Sequence, residues 1–94
     1  MVTATTMMRV DVVSPEAVLW SGEAGFVVAR TVDGEIGILA HHEPLMAALA
    51  TGAVEIETRE ERVRVDVGGG FLQIVDNTVT VLADQAKLSN DPAG

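Results

Sequence analysis

The stretch that decides the fold is residues 54–67, VEIETREERVRVDV, in which apolar and charged side chains alternate. Successive side chains of a β-strand point to opposite faces of a sheet. The alternation therefore predicts two strands, each with one buried and one wet face, joined by a charged turn. Glutamates of the first strand and arginines of the second are expected to pair across the hairpin. Each such pair is worth a few tenths of a kcal/mol to about 1 kcal/mol.

The same alternation extends outward from this hairpin in both directions. It is present in residues 8–13 and 78–83. Further strands are predicted at 23–31, where apolar residues on both faces suggest burial between two sheets, and at 71–75, with turn signals at 33–34 and 76–77. Many short strands separated by turns are typical of a β-sandwich or barrel. The chain contains 94 residues, which predicts one domain with a core of aliphatic side chains.

Two segments depart from the alternation. Residues 45–50 consist of helix-forming side chains, but the run is too short to predict a helix, so its structure stays open. The glycine run 68–70 lacks a Walker lysine and precedes a strand, so it does not predict a phosphate loop. We predict a bulge, a sharp bend or close backbone packing there.

The composition limits the possible partners. The formal net charge is −8, with six basic residues among fourteen acidic ones, which argues against nucleic acid and anionic lipid as ligands. There is no cysteine, and hence no disulfide framework or thiolate metal site. The N-terminus lacks signal-peptide features, and no apolar run approaches the roughly 20 residues of a membrane helix.

The only two histidines, His41 and His42, stand next to Glu43 and suggest a metal site. Neighbouring side chains in an extended chain point apart, and no third ligand stands at familiar spacing, so we expect loop residues instead. Neither Ser14 nor Ser21 has the sequence context of a catalytic nucleophile. A small metal-binding or ligand-binding module using His41, His42 and Glu43 remains the alternative function.

The order of motifs resembles the N-terminal domain of the epsilon subunit of bacterial F-type ATP synthases. The resemblance covers roughly residues 8–86, and each matching piece alone is short. The matching stretches, in chain order, are 10–16, 19–24, 34–45, 67–72 and 77–86.

The resemblance implies a β-sandwich of about ten strands in two antiparallel sheets. It also implies a non-catalytic central-stalk subunit without a cofactor, monomeric when isolated. Such a subunit binds the gamma subunit and the c-ring on the cytoplasmic face of the bacterial membrane. Carried over residue by residue, Asp33, Gly34 and Glu35 are expected at the c-ring, and Ser14 and His42 near the same base or at gamma. The acidic loop suits basic loops of the c-ring.

Two departures from the family pattern are expected to matter. The family has Pro and Gly where this chain has Ala40 and His41, which predicts a less rigid loop. The family also continues into an inhibitory helical hairpin, which we expect to be absent here. Two explanations stay open: the subunit is naturally short, or the sequence is a shortened form of a longer one. We therefore expect a domain over residues 1–86, with a loose N-terminus at 1–7 and a short tail at 87–94.

Overall fold

The computed structural model describes residues 7–89, and every regular element among them is a β-strand. Residues 1–6 of the predicted loose N-terminus and residues 90–94 of the predicted tail lie outside the described residues. Strand β8 extends past the predicted domain end at residue 86. The strands are β1 Met8–Val13, β2 Val18–Ala24, β3 Phe26–Thr31, β4 Gly34–Leu39, β5 Leu45–Glu57, β6 Arg62–Val75, β7 Thr78–Ala83 and β8 Ala86–Ser89.

The strands follow the order β2-β1-β7-β6-β5-β3-β4, with β8 pairing with β6 outside that path. The predicted all-β sandwich is confirmed, but the expected exclusively antiparallel pairing is not, because β1 and β7 run parallel. A parallel pair needs a long connection. The chain between β1 and β7 satisfies this need because it contains five further strands.

The described residues form eight strands rather than about ten, because β5 and β6 are each long enough to serve both layers. Strand β6 pairs with β8 through residues 64–67 and with β7 through residues 70–75. Its path changes layer at the glycine run, where Gly69 and Gly70 adopt positive φ values of 105° and 126°. Of the three predicted alternatives, close backbone packing is present, because a Cβ at Gly70 would overlap the carbonyl oxygen of Leu82.

The core lies between the two layers and consists of aliphatic side chains. Residues of the inner faces alternate with exposed ones along β1, β6 and β7, as the sequence pattern predicts. The largest fully buried side chains are Ile38, Ile56, Leu72, Ile74, Val10, Val12, Val27, Val54, Val65, Val79 and Val81. Packing of these side chains stabilises the described fold.

Residues 45–50 form the first half of β5, which resolves the ambiguity of that segment. Leu45, Ala47 and Leu49 lie opposite residues of β6 on the inner side of the sheet. Pairing with a neighbouring strand therefore overrides the weak helix preference of the segment. Residues 23–31, predicted as a single strand, instead belong to β2 and β3 on either side of Gly25.

The predicted 54–67 hairpin is confirmed with its charge pairs. Glu57 lies opposite Arg62, and Glu55 lies opposite Arg64. The nitrogen–oxygen distances are 2.7 Å in the first pair and 3.9 Å in the second. All four side chains are at least a third exposed, so each pair contributes at most about 1 kcal/mol.

Candidate interaction surfaces

The β3–β4 hairpin presents the acidic residues that the sequence places at an interface. Asp33, Gly34 and Glu35 are all exposed at its tip. The buried Thr31 side chain holds this turn, because its Oγ1 donates to the carbonyl of Gly34 at 2.8 Å and accepts from the amide of Asp33 at 3.1 Å. The tip is thus rigid at its base and carries two solvated carboxylates.

A second backbone contact fixes the direction of this hairpin. The amide of Val32 donates to the carbonyl of Ala48 in β5 at 3.0 Å. The side chain of Val32 is 65% exposed beside the two acidic residues. The tip therefore combines negative charge with one apolar side chain on a frame tied to the long strand β5.

Ser14 closes the turn between β1 and β2 and is 9% exposed. Its backbone exchanges hydrogen bonds of 2.9 Å and 3.3 Å with Ala17, and its hydroxyl donates to the Ala17 carbonyl at 3.4 Å. The hydroxyl of Ser14 therefore forms its hydrogen bond within this turn. A contact with another protein at this position would involve the exposed neighbours Pro15 and Glu16 more directly.

The two histidines lie in the connection between β4 and β5. His41 is exposed with a φ of 66°, and its amide donates to Asn77 Oδ1 at 2.7 Å. His42 Nδ1 lies 2.8 Å from the carbonyl oxygen of Glu43. A carbonyl oxygen only accepts, so this contact requires the proton on Nδ1. Among residues 7–89, no group of three or more histidine or acidic side chains is arranged to hold a metal ion.

The predicted interface residues lie in three separate segments of the chain. Residues 33–35 lie at the start of β4 and His42 follows its end. Four strand residues, 36–39, lie between Glu35 and the connection that carries His42, which corresponds to roughly 13 Å along β4. Ser14 lies four strands away from the hairpin, in the opposite part of the sheet order. The arrangement instead offers an acidic tip at one end of β4 and a histidine-bearing connection at the other.

A row of apolar side chains crosses the outer face of five strands. The sequence pattern did not predict this row. Register places its members side by side across β5, β6, β7, β1 and β2. Phe71, Leu82 and Val18 are 53%, 45% and 63% exposed. We call this surface the apolar row; its members are Ala48, Phe71, Leu82, Val13 and Val18. Alternation marks Phe71 and Leu82 as outward-facing, but only register shows that they are neighbours.

A polar cluster borders the apolar row on the same face. Arg9 donates to Asp11 at 3.1 Å and to Ser21 Oγ at 2.9 Å, and the Ser21 hydroxyl donates to Asp11 at 2.6 Å. The hydrogen bond from Ser21, followed by that from Arg9, lowers the pKa of Asp11 below its ordinary value of 3.8. An apolar strip with a charged border has the anatomy of a protein-binding surface.

The described residues contain no helix long and apolar enough to cross a membrane. Sequence comparison matches residues 7–89 to the family described as the ATP synthase delta/epsilon chain, beta-sandwich domain. The ATP synthase epsilon chain of Frankia casuarinae is 45% identical over 83 residues, covering 87% of this chain and 98% of the relative. The epsilon chain of Brevibacillus brevis is also 45% identical, over 89% of this chain but 64% of its own length.

Solved structures show the same fold. A chain in the cryo-EM structure of the Euglena gracilis mitochondrial ATP synthase, comprising OSCP, F1 and c-ring, superposes with a TM-score of 0.82. The two chains are 23% identical, and the match covers 88% of this chain and 54% of the Euglena chain. A chain in the central stalk and c-ring structure of the Tetrahymena thermophila enzyme gives a TM-score of 0.70 at 17% identity, covering 85% of this chain and 65% of the other.

Proposed function

Because the chain belongs to the ATP synthase delta/epsilon family, we propose that it is a non-catalytic central-stalk subunit that couples rotation to ATP synthesis. The match over residues 7–89, which spans the whole described fold, carries this proposal. In it, the domain binds gamma and the c-ring at the cytoplasmic face of the bacterial membrane, as a peripheral part of the complex. Purified protein should form a stable complex with its cognate gamma subunit and show no ATPase activity alone.

The apolar row is the surface that we assign to gamma. Adjacent strands lie about 4.8 Å apart, so a row across five strands is roughly 19 Å long. Aromatic side chains are enriched at the centres of protein interfaces, and Phe71 lies within the row between the half-buried Ala48 and the exposed Leu82. The turn of Ser14 adjoins the row through Val13, so of the two positions expected for Ser14 we propose the one at gamma.

Replacing Phe71 with Thr tests this assignment. Threonine suits an exposed strand position but removes the aromatic surface. Burial of such a side chain contributes about 1.5–3 kcal/mol, so affinity for gamma is expected to fall roughly 10- to 100-fold. Val75→Thr is the matched control, because Val75 is exposed on the same face of β6 but outside the row. Calorimetry with purified gamma that gives equal affinities for both variants would remove the row from the proposal.

The acidic tip of the β3–β4 hairpin is the surface that we assign to the c-ring. Complementary charge raises association rates and selects partners, and the tip presents Asp33 and Glu35 to solvent. A basic loop on the c-ring is the matching surface. Val32 beside them supplies apolar contact area, since its side chain is the most exposed valine of the described fold.

Glu35→Lys reverses one charge of this tip without touching the core. We expect unchanged unfolding midpoints but weaker binding to isolated c-ring, and lower proton-driven ATP synthesis in reconstituted complexes. Glu60→Lys is the control, because Glu60 is exposed in the turn of a different hairpin. Equal c-ring binding and equal rates of ATP synthesis in the two variants would show that Glu35 has no part in docking.

A further inference from the structure

Asn77 joins three separate segments of the chain. Its side-chain oxygen accepts from the amide of His41 at 2.7 Å, and its side-chain nitrogen donates to the carbonyl of Met7 at 2.9 Å. Its own carbonyl accepts from the amide of Arg9 at 3.1 Å. The residue therefore ties the β6–β7 turn both to the start of β1 and to the β4–β5 connection.

The β4–β5 connection that Asn77 holds contains a residue in an unfavourable backbone conformation. We call residues 40–43 the histidine loop. His41 has a φ of 66°, in the left-handed region that residues with a side chain disfavour. Within the loop, the amide of His42 donates to the carbonyl of Leu39 at 3.2 Å. Asn77 Oδ1 is the partner that anchors the His41 amide, 36 positions along the chain.

The chemistry of an amide side chain suits this position. It offers an acceptor to one segment and a donor to another at the same time. Asn also tolerates the left-handed conformation, and Asn77 itself has a φ of 59°. An aspartate would retain the acceptor for His41 but lose the donor to Met7. A glycine would keep the backbone of the turn but lose both bonds.

We propose that Asn77 is a positioning residue that fixes the histidine loop against β1. The loop leads directly into β5, which carries Ala48 of the apolar row, so it would meet a gamma subunit bound to that row in one preformed geometry. The part that concerns gamma rests on the proposed function. The residue contributes through loop order rather than by direct contact. Preformed loops bind more tightly because less freedom is lost on association.

The test compares Asn77→Gly with Asn77→Asp in the full chain. Asp76→Gly is the matched control, because Asp76 is the exposed neighbour in the same turn and also has positive φ. Amide hydrogen exchange by NMR reports on the loop, and calorimetry with purified gamma reports on binding. Exchange of core amides such as that of Val81 reports whether the fold is intact.

In Asn77→Gly, we expect exchange of the His41 amide to accelerate about tenfold with core amides unchanged. Affinity for gamma is expected to fall roughly three- to tenfold. Asn77→Asp should retain most of the His41 protection, and Asp76→Gly should match the wild type in both measurements.

Unchanged exchange at His41 in Asn77→Gly would overturn the anchoring role. Faster exchange with unchanged affinity would overturn the positioning role for gamma. Failure of the wild-type protein to bind gamma would instead refute the proposed function. The exchange data would then still decide whether Asn77 holds the loop.

Discussion

Alanine substitutions at Gly70 and Gly34 separate two reasons for requiring glycine in this fold. Both glycines have nearly the same φ, 126° and 130°. A Cβ at Gly70 would overlap the carbonyl oxygen of Leu82, which belongs to the backbone of β7. A Cβ at Gly34 would meet no atom within 4 Å. The two variants therefore share the conformational penalty and differ in the steric one.

The expected magnitudes follow from these contacts. A side chain held at such a φ costs about 1–3 kcal/mol, partly offset by the reduced freedom of the unfolded chain. Gly34→Ala should therefore lower the free energy of unfolding by about 1–2 kcal/mol. Gly70→Ala adds the displacement of β7 backbone, which costs a further 1–3 kcal/mol or so. A domain of this size has roughly 5–14 kcal/mol in total.

Urea unfolding followed by circular dichroism measures the difference. With a slope of about 1–2 kcal/mol per molar urea, the midpoint of Gly70→Ala should lie roughly 1–2 M below that of Gly34→Ala. Equal midpoints would refute the steric reasoning, because they would show that β7 moves away at no cost. A stable Gly70→Ala variant would also show that the change of layer in β6 does not need glycine at this position.

Two further predictions concern the histidine loop and the polar cluster. His41→Gly should leave the urea midpoint unchanged or raise it slightly, because glycine adopts the left-handed conformation without a side-chain penalty; a clear loss of stability would contradict this. The lowered pKa of Asp11 means that its stabilisation is present above the unfolded value of 3.8 and is lost as pH falls through the folded value. The difference in free energy of unfolding between the wild type and Asp11→Asn should therefore shrink in acid. A difference in urea midpoints that does not change with pH would contradict this role of Asp11.

Local patterns predicted much of the architecture because alternation has the same period as a strand. The 54–67 hairpin, its charge pairs and the Asp76-Asn77 turn follow from such patterns, and the structure confirms each of them. The state of residues 45–50 did not follow. Their composition suits a helix, and the pairing of β5 with β6 that makes them a strand involves residues far along the chain.

The candidate surfaces also combine features that the sequence predicts with features that only the tertiary structure shows. The exposed acids at 33–35 follow from a turn signal and their charge. The contacts of Asn77 do not. Each depends on which strands are neighbours, and the hydrogen bonds of Asn77 join residues up to 70 positions apart.

The sequence by itself determined an acidic all-β domain and the charged faces of its hairpins, because strand period and turn chemistry are local properties. Only the tertiary structure decided the parallel pairing of β1 with β7, the apolar row and the anchoring of the histidine loop. The physical reason is that register is set by packing across the whole sheet. A shift of one residue would send Phe71 and Leu82 to the other face, and no local pattern specifies which strands bring them together.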